Sequence, residues 1–248
     1  MNRISKIKNY YNWGGRFLND SFHLNAKNLN EKEIEKRPFR YDIINFLLDS
    51  LQKETTYLEI GVRNPDDNFN LISANKKYSV DPGLEFEANP VDFPFTSDEF
   101  FEKLRSGNIL EPSFKFDVIF IDGLHTAEQV DRDIENALHF VHDDGFVVLH
   151  DCNPLTEFHA RETHSYTISP AGQQWNGTTW KGFVKWRQNP SLFSCTVDTD
   201  WGVGIISKSK NIGLPCEITN EFFEFKKFDE NRVAFLNLIS FEDLKNLF

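Results

Sequence analysis

Phe116-Asp117-Val118-Ile119-Phe120-Ile121-Asp122-Gly123-Leu124-His125-Thr126-Ala127-Glu128-Gln129 is the stretch on which the fold turns. Its first six positions are apolar apart from Asp117, the pattern of a strand buried on both faces. An acid and a glycine end that run, and Thr126 with Gln129 three residues later spells a capping box for a helix. Val130, Ile134, Ala137, Leu138 and Val141 recur at helical spacing. Gly145 is expected to stop that helix, and Phe146-Val147-Val148-Leu149 reads as the next buried strand. Strand, helix, strand is the unit of a parallel sheet.

The same alternation extends in both directions. Upstream, Ile44, Leu47, Leu48 and Leu51 follow a helical period, and Thr56-Tyr57-Leu58-Glu59-Ile60 is a short strand ending at Gly61. Asn64-Pro65-Asp66-Asp67 predicts a helix start, with Asn as cap, Pro in the first position and two acids in the first turn. Tyr78-Ser79-Val80-Asp81 is a second strand, and Thr96-Ser97-Asp98-Glu99 a further capping box. Downstream, Phe193 to Val197 and Val203 to Ser207 lie close enough to form a terminal antiparallel hairpin, and residues 221–248 read as a helical segment. Residues 1–39 are expected to be an N-terminal helical extension packed on the body through Tyr10, Tyr11, Trp13 and Phe17. Residues 40–248 are then a single domain, with 153–189 as an insertion on the ligand side.

Composition narrows the classes. The chain has 248 residues and a formal charge of −11, the wrong sign for a protein that follows a nucleic-acid backbone. No run approaches the ~20 apolar residues of a membrane span. Three scattered cysteines, Cys152, Cys195 and Cys216, make neither a disulfide framework nor a zinc site. A cytoplasmic protein without nucleic-acid or membrane partners is expected, with homo-oligomerisation left open.

Doubly wound sheets hold ligands beyond the carboxyl ends of their strands. Asp81, 20 residues after Gly61, suits a carboxylate gripping ribose hydroxyls. A dinucleotide site would offer free N–H groups to a pyrophosphate at the helix start. Here Pro65 lacks a donor, Asp66 and Asp67 repel phosphate, and the later glycines of the fingerprint are missing. An adenosine ligand without phosphate fits better.

With those residues in view, the chain resembles the class I S-adenosylmethionine-dependent methyltransferases, and within them the bacterial macrolide-sugar and catechol-type O-methyltransferases. The resemblance rests on Tyr57-Leu58-Glu59-Ile60-Gly61-Val62, Ser79-Val80-Asp81-Pro82, Phe120-Ile121-Asp122-Gly123-Leu124-His125 and Val148-Leu149-His150-Asp151-Cys152-Asn153. It implies an α/β, Rossmann-like, doubly wound and mostly parallel seven-stranded sheet, with a terminal antiparallel hairpin and helices on both faces. It also implies S-adenosylmethionine as cofactor, with Glu59 and Gly61 lining its methionine end, Asp81 its ribose, Ser97 and Asp98 its adenine edge, and Asp122 nearby.

Methyl transfer needs alignment and an acceptor oxygen relieved of its proton. Asp122, His125, His150 and Asp151 sit at the ends of two strands that a parallel sheet can make neighbours, and an imidazole is a base suited to neutral pH. Similar sugar O-methyltransferases imply Asp122 and Asp151 as ligands of Mg2+ or another divalent cation and His125 as the base. This chain departs from them in placing Cys152 after Asp151, with Asn153 one step further as the remaining candidate ligand; cysteine is a poor partner for magnesium. Each residue also has a structural reading: Asp122 as strand terminator, His125 as partner of the helix start, His150 as a neighbour of Asp151. The acceptor expected is a small molecule or a glycan hydroxyl. A nicotinamide-dependent oxidoreductase and a non-catalytic S-adenosylmethionine-binding module are the alternatives.

Overall fold

Seven strands and nine helices are present among the residues described by the computed structural model, 3–84 and 89–248. The central strands are β1 (Thr56–Ile60), β2 (Lys76–Val80), β3 (Phe116–Ile121) and β4 (Val141–Leu149), all mutually parallel. β5 (Phe193–Val197) and β6 (Val203–Ser207) form the antiparallel hairpin, with β6 against β4. A two-residue strand, β7 (Leu238–Ile239), closes the edge beside β5, so the order is β2-β1-β3-β4-β6-β5-β7. The sheet is therefore Rossmann-like and mostly parallel. Among the described residues no helix is long and apolar enough to cross a membrane.

The period-two geometry of strands distributes the apolar residues to both faces. Ile119, Ile121, Val147 and Leu149 enter one core with Phe100, Phe101 and Leu104 of α4 (Ser97–Arg105), Ile134 and Phe140 of α5 (Ala127–Phe140), and Phe183 of α6 (Thr179–Arg187). Val118, Phe120, Phe146 and Val148 enter the other, against Ile43, Ile44, Leu47 and Leu48 of α3 (Arg40–Ser50). A strand with both faces covered has no polar alternation to show, which is why β3 and β4 read as continuous apolar runs.

Several expected boundaries shift. The helix predicted at Asn64 is a single 3-10 turn, Pro65–Asp67, followed by another at Phe69–Leu71. Asn64 does cap it, but Asn68 turns out of helical geometry (φ −153°) to donate to Glu59 and Tyr57, and the α-helix cannot continue. Thr126 makes no side-chain cap; the Ala127 N–H donates instead to Thr178 Oγ1 at 2.6 Å, and Gln129 turns to Ser97 and Asp133. Gly145 stops no helix. It lies inside β4, where an added Cβ would fall 2.3 Å from the Asp117 carbonyl oxygen.

The C-terminal segment is not continuously helical: α7 (Phe225–Glu230), α8 (Arg232–Leu236) and α9 (Phe241–Lys245) are short, and β7 interrupts them. That edge is tied down by Arg187, which is buried and donates to the carbonyls of Ser194, Leu214 and Phe235. At the other end, α1 (Arg3–Leu18) buries none of its residues, so Tyr10, Tyr11 and Trp13 do not pack on the body as expected. α2 (Ser21–Glu35) does dock, through Ala26 and Glu33. Met1 and Asn2 of the expected extension lie outside the described residues.

Asp133 on α5 supplies a test. Burial raises its carboxyl to about 6, against hydrogen bonds from Ser97 and Gln129 that favour the anion. Between the unfolded pKa, about 4, and that value the native state holds a proton the unfolded chain releases, so its contribution to stability falls as pH rises and becomes a fixed penalty above about 6. Asp133→Asn should therefore stabilise by about 1–2 kcal/mol at pH 7.5 and hardly at all near pH 4, as read by urea denaturation. An equal effect at both pH values would place the raised carboxyl elsewhere.

Candidate active site

A cleft of about 690 Å³ opens beyond the carboxyl ends of β1 to β4. Gly61 (φ +93°) makes the first turn out of the sheet and has no room for a side chain, since a Cβ would lie 2.2 Å from the carbonyl oxygen of Asp122. Glu59, Gly61, Asp81 and Ser97 all line the cleft. Glu59 is buried, accepts hydrogen bonds from Tyr57 Oη (2.6 Å) and Asn68 Nδ2 (2.8 Å), and is raised by burial to about 7. Asp81 Oδ1 accepts the Gly83 N–H at 2.7 Å, which orients the carboxylate at the strand end.

Asp98 does not join them. Its carboxylate is half-exposed and pairs with Arg132 at 3.2 Å, outside the cleft lining. Gln129, whose Nε2 donates to Ser97 Oγ at 3.0 Å, takes the place beside Ser97. At the first turn Pro65, Asp66 and Asp67 present no run of free donors, and Arg63 is turned to Asp67 at 3.8 Å.

Deeper in, the ends of β3 and β4 bring four of the predicted residues together. His125 Nε2 donates to Asp122 Oδ1 at 3.2 Å, and its Nδ1 lies 3.2 Å from both the Trp175 carbonyl oxygen and Asp151 Oδ2. His150 Nδ1 is 3.3 Å from Asp122 and 3.4 Å from Asp151. Ligand atoms of Asp122, His125 and Asp151 all fall within 4.8 Å of one another, a spacing one cation could bridge. Burial disfavours the charged ring, but Asp151 and Asp122 outweigh it and hold His125 at about 9. Burial likewise opposes the Asp122 anion, and His150, His125 and Arg40 nevertheless keep it well below the usual carboxylate range.

Asn153 is absent from this group. Its amide donates to Asp198 at 3.2 Å and accepts from Arg232, so it faces the other side of the chain. Cys152 is fully buried, and burial pushes its thiol up, a packing residue next to Gly204. Asn176 replaces Asn153 as the amide of the site: fully buried, it donates from Nδ2 to Asp151 Oδ1 at 2.8 Å. The rest of its segment serves the same end. Trp175 stacks on His125 with ring centroids 5.2 Å apart, Gly177 leaves no space for a side chain against the His125 carbonyl, and the Thr178 N–H donates to that carbonyl at 2.8 Å.

Sequence reasoning missed three contributors. Arg40, read only as part of a helical run, sits 3.9 Å from Asp122 and 3.1 Å from Asp200. Asp200, in the hairpin between β5 and β6, is buried and lies 3.4 Å from His150 Nε2; an acid beside Gly202 was the only available signal. Glu33 of α2 had none. Its buried carboxylate accepts the Trp201 N–H at 2.9 Å and pairs with Lys36, which also reaches Asp198 at 2.7 Å. Asp151, Asp200 and Trp201 all hold left-handed backbone (φ +59°, +49° and +57°), each at a cost of about 1–2 kcal/mol that neighbouring contacts must offset.

Residues 58–152, which contain Glu59, Asp81, Asp122, His125, His150 and Asp151, match the family profile described as a methyltransferase domain. No curated protein matches the chain by sequence. Among solved structures, an O-methyltransferase from Bacillus cereus in complex with SAH is 16% identical, over 75% of this chain and 89% of that one, with a TM-score of 0.40. The MycE methyltransferase of the mycinamycin biosynthetic pathway, in complex with Mg, SAH and mycinamycin VI, is 14% identical over 80% of this chain and 57% of that one, at 0.44. DesVI of Streptomyces venezuelae is 8% identical over 80% and 97%, at 0.39. The strand ends that line the cleft thus fall within the residues that match the methyltransferase-domain profile.

Proposed function

We propose that the protein transfers the methyl group of S-adenosylmethionine to a hydroxyl of a small or carbohydrate-like acceptor, with His125 as the base and a divalent cation assisting. The observation that carries this reading is the convergence of Asp122, His125 and Asp151 within 4.8 Å at the inner end of the cleft that Glu59, Gly61 and Asp81 line. The cofactor supplies an electrophilic methyl carbon on a sulfonium, and a ligand of that kind, carrying adenosine and an amino-acid tail but no phosphate, suits acids at both strand ends and a first turn poor in donors.

The donor set also suits a hard cation. Asp122, Asp151 and Asp200 bring three carboxylates to one place, with Arg40 as the fixed positive charge between them. With His125 and His150 neutral the three carboxylates outnumber the Arg40 charge, and a divalent ion on Asp122 and Asp151 would offset that excess in place of the two protons and lower the pKa of an acceptor hydroxyl. The residues of the chain do the rest. Trp175 and the Trp175 carbonyl hold the His125 ring in place, and Asn176 fixes one oxygen of Asp151 so that the other faces His125. A cation offsetting the acids that hold its ring charged would free His125 to take the acceptor proton, and Trp175, which lines the cleft, would offer apolar surface to a sugar or phenolic ring.

Two outcomes are expected. In calorimetry the protein should bind S-adenosylhomocysteine far more tightly than NAD, and Asp81→Ala should weaken that binding by about 1–3 kcal/mol through the lost ribose contact. Equal affinity for the two ligands would end the methyltransferase reading; an unchanged Asp81→Ala would move the ribose contact elsewhere.

Incubation with methyl-labelled cofactor and a panel of sugars, sugar nucleotides and phenols, with and without Mg2+, should yield a labelled ether only from hydroxyl acceptors. His125→Ala should slow that transfer by about 10²–10⁴-fold with cofactor affinity intact. Label on nitrogen or carbon alone would exclude O-methylation, and near-normal turnover of the variant would return His125 to a structural role.

A further inference from the structure

α1 exposes Ile4 (76%), Ile7 (60%), Tyr10 (72%), Tyr11 (81%), Trp13 (65%) and Leu18 (66%), and buries no residue. Ile4, Ile7, Tyr11 and Leu18 fall on one face of the helix, and monomeric proteins rarely leave such a stripe in water. The exposed area of those four side chains is on the order of 500–600 Å², most of what one partner contributes to a standard interface.

Their spacing is as telling as their number. Positions 4, 7, 11, 14 and 18 repeat at alternating three and four residues, the seam of a helix that mates with another protein surface. The fourth position is Gly14, where an added Cβ would meet nothing within 4 Å, as at Gly15. Two glycines in mid-helix cost about 1 kcal/mol each, and nothing in the chain's own packing calls for them. Space on the seam is what a partner would fill.

Charge selects the partner. α1 carries Arg3, Lys6, Lys8 and Arg16 and no acid; taking its +4 from the chain's −11 leaves −15 on the rest. An anionic bilayer would attract the helix but repel that body. A second copy offers the helix acidic surface and receives the same contact in return, which is how a two-fold interface closes.

We propose that α1 is the docking arm of a homodimer, laying its apolar seam and basic flanks on the acidic body of a second copy.

The full chain in solution tests this by light scattering or sedimentation on the order of 10 µM, where a dimer of micromolar affinity is half formed. A mass of twice 28.9 kDa is expected in low salt, with dimer affinity falling at least tenfold in 0.5 M salt, about the screening expected of exposed charge pairs. Ile7→Asp with Tyr11→Asp should give a monomer of unchanged circular dichroism and melting temperature, because neither side chain packs in its own copy. Lys6→Glu with Lys8→Glu should weaken the dimer at least tenfold.

A native chain that stays monomeric overturns the proposal, as does a dimer that survives the apolar pair. Tightening by the charge reversal would mean that two α1 helices mate with each other. Co-sedimentation of a monomeric chain with phosphatidylglycerol vesicles, lost in the apolar pair, would assign the helix to a membrane surface instead.

Discussion

Asp122, Asp151 and Asp200 share two imidazoles at 3.2 to 3.4 Å, and oxygens of Asp122 and Asp151 come within 4.8 Å of each other, where like charges repel by about 3–4 kcal/mol at the effective dielectric of a protein site. Much of the surrounding structure answers that repulsion. Arg40 is drawn in from the start of α3, with its own backbone N–H on Asp200 as well as its guanidinium. Both histidines are raised by the same field. Left-handed backbone at Asp151, Asp200 and Trp201 bends the strand ends so that carboxylates point inward, and Gly61 and Gly177 let two chain segments close against them. Without these supports the acids would turn to water.

Most of the sheet was readable because burial on both faces leaves apolar runs with no competing pattern: β1, β3, β5 and β6 fall where the sequence puts them, and β4 does from Phe146 on, although it begins at Val141. The capping box at Thr96 also forms, since its partner Glu99 is local and free to answer it. Local rules failed where a distant residue made a better offer. Thr178, 51 positions along the chain, displaced Thr126 as the partner of the α5 start, and Glu59 claimed Asn68 before a helix could pass it. β7 was invisible because two residues have no periodicity.

The same division explains the candidate site. Asp122, His125, His150 and Asp151 were legible because strand ends are where such sheets hold ligands. Asp98 and Asn153 fall outside the cleft lining for one reason: each is held by another partner, Arg132 for the first and Asp198 with Arg232 for the second. Arg40 and Glu33 reach Asp200 and Trp201 across 160 and 168 residues. No spacing rule spans that distance; only the folded topology brings them close.

The bond from Trp201 to Glu33 restricts how the cleft can breathe. The 198–202 turn is pinned from above by α2, through Glu33 and Lys36, and from below by pairing of Cys152 and Asn153 with Gly202 and Trp201. His159 adds a further stitch from the insertion to Asn30 of α2. The hairpin wall is thus locked, and its amides should exchange with solvent only when α2 lifts away. Opening of the cleft is left to the other rim, where residues 161–174 are held by Arg161 reaching the carbonyls of Phe158, Gln174 and Gly172, by the Trp175 indole on the Arg161 carbonyl and by Lys181 on Glu162. Three side chains are the latch on that rim.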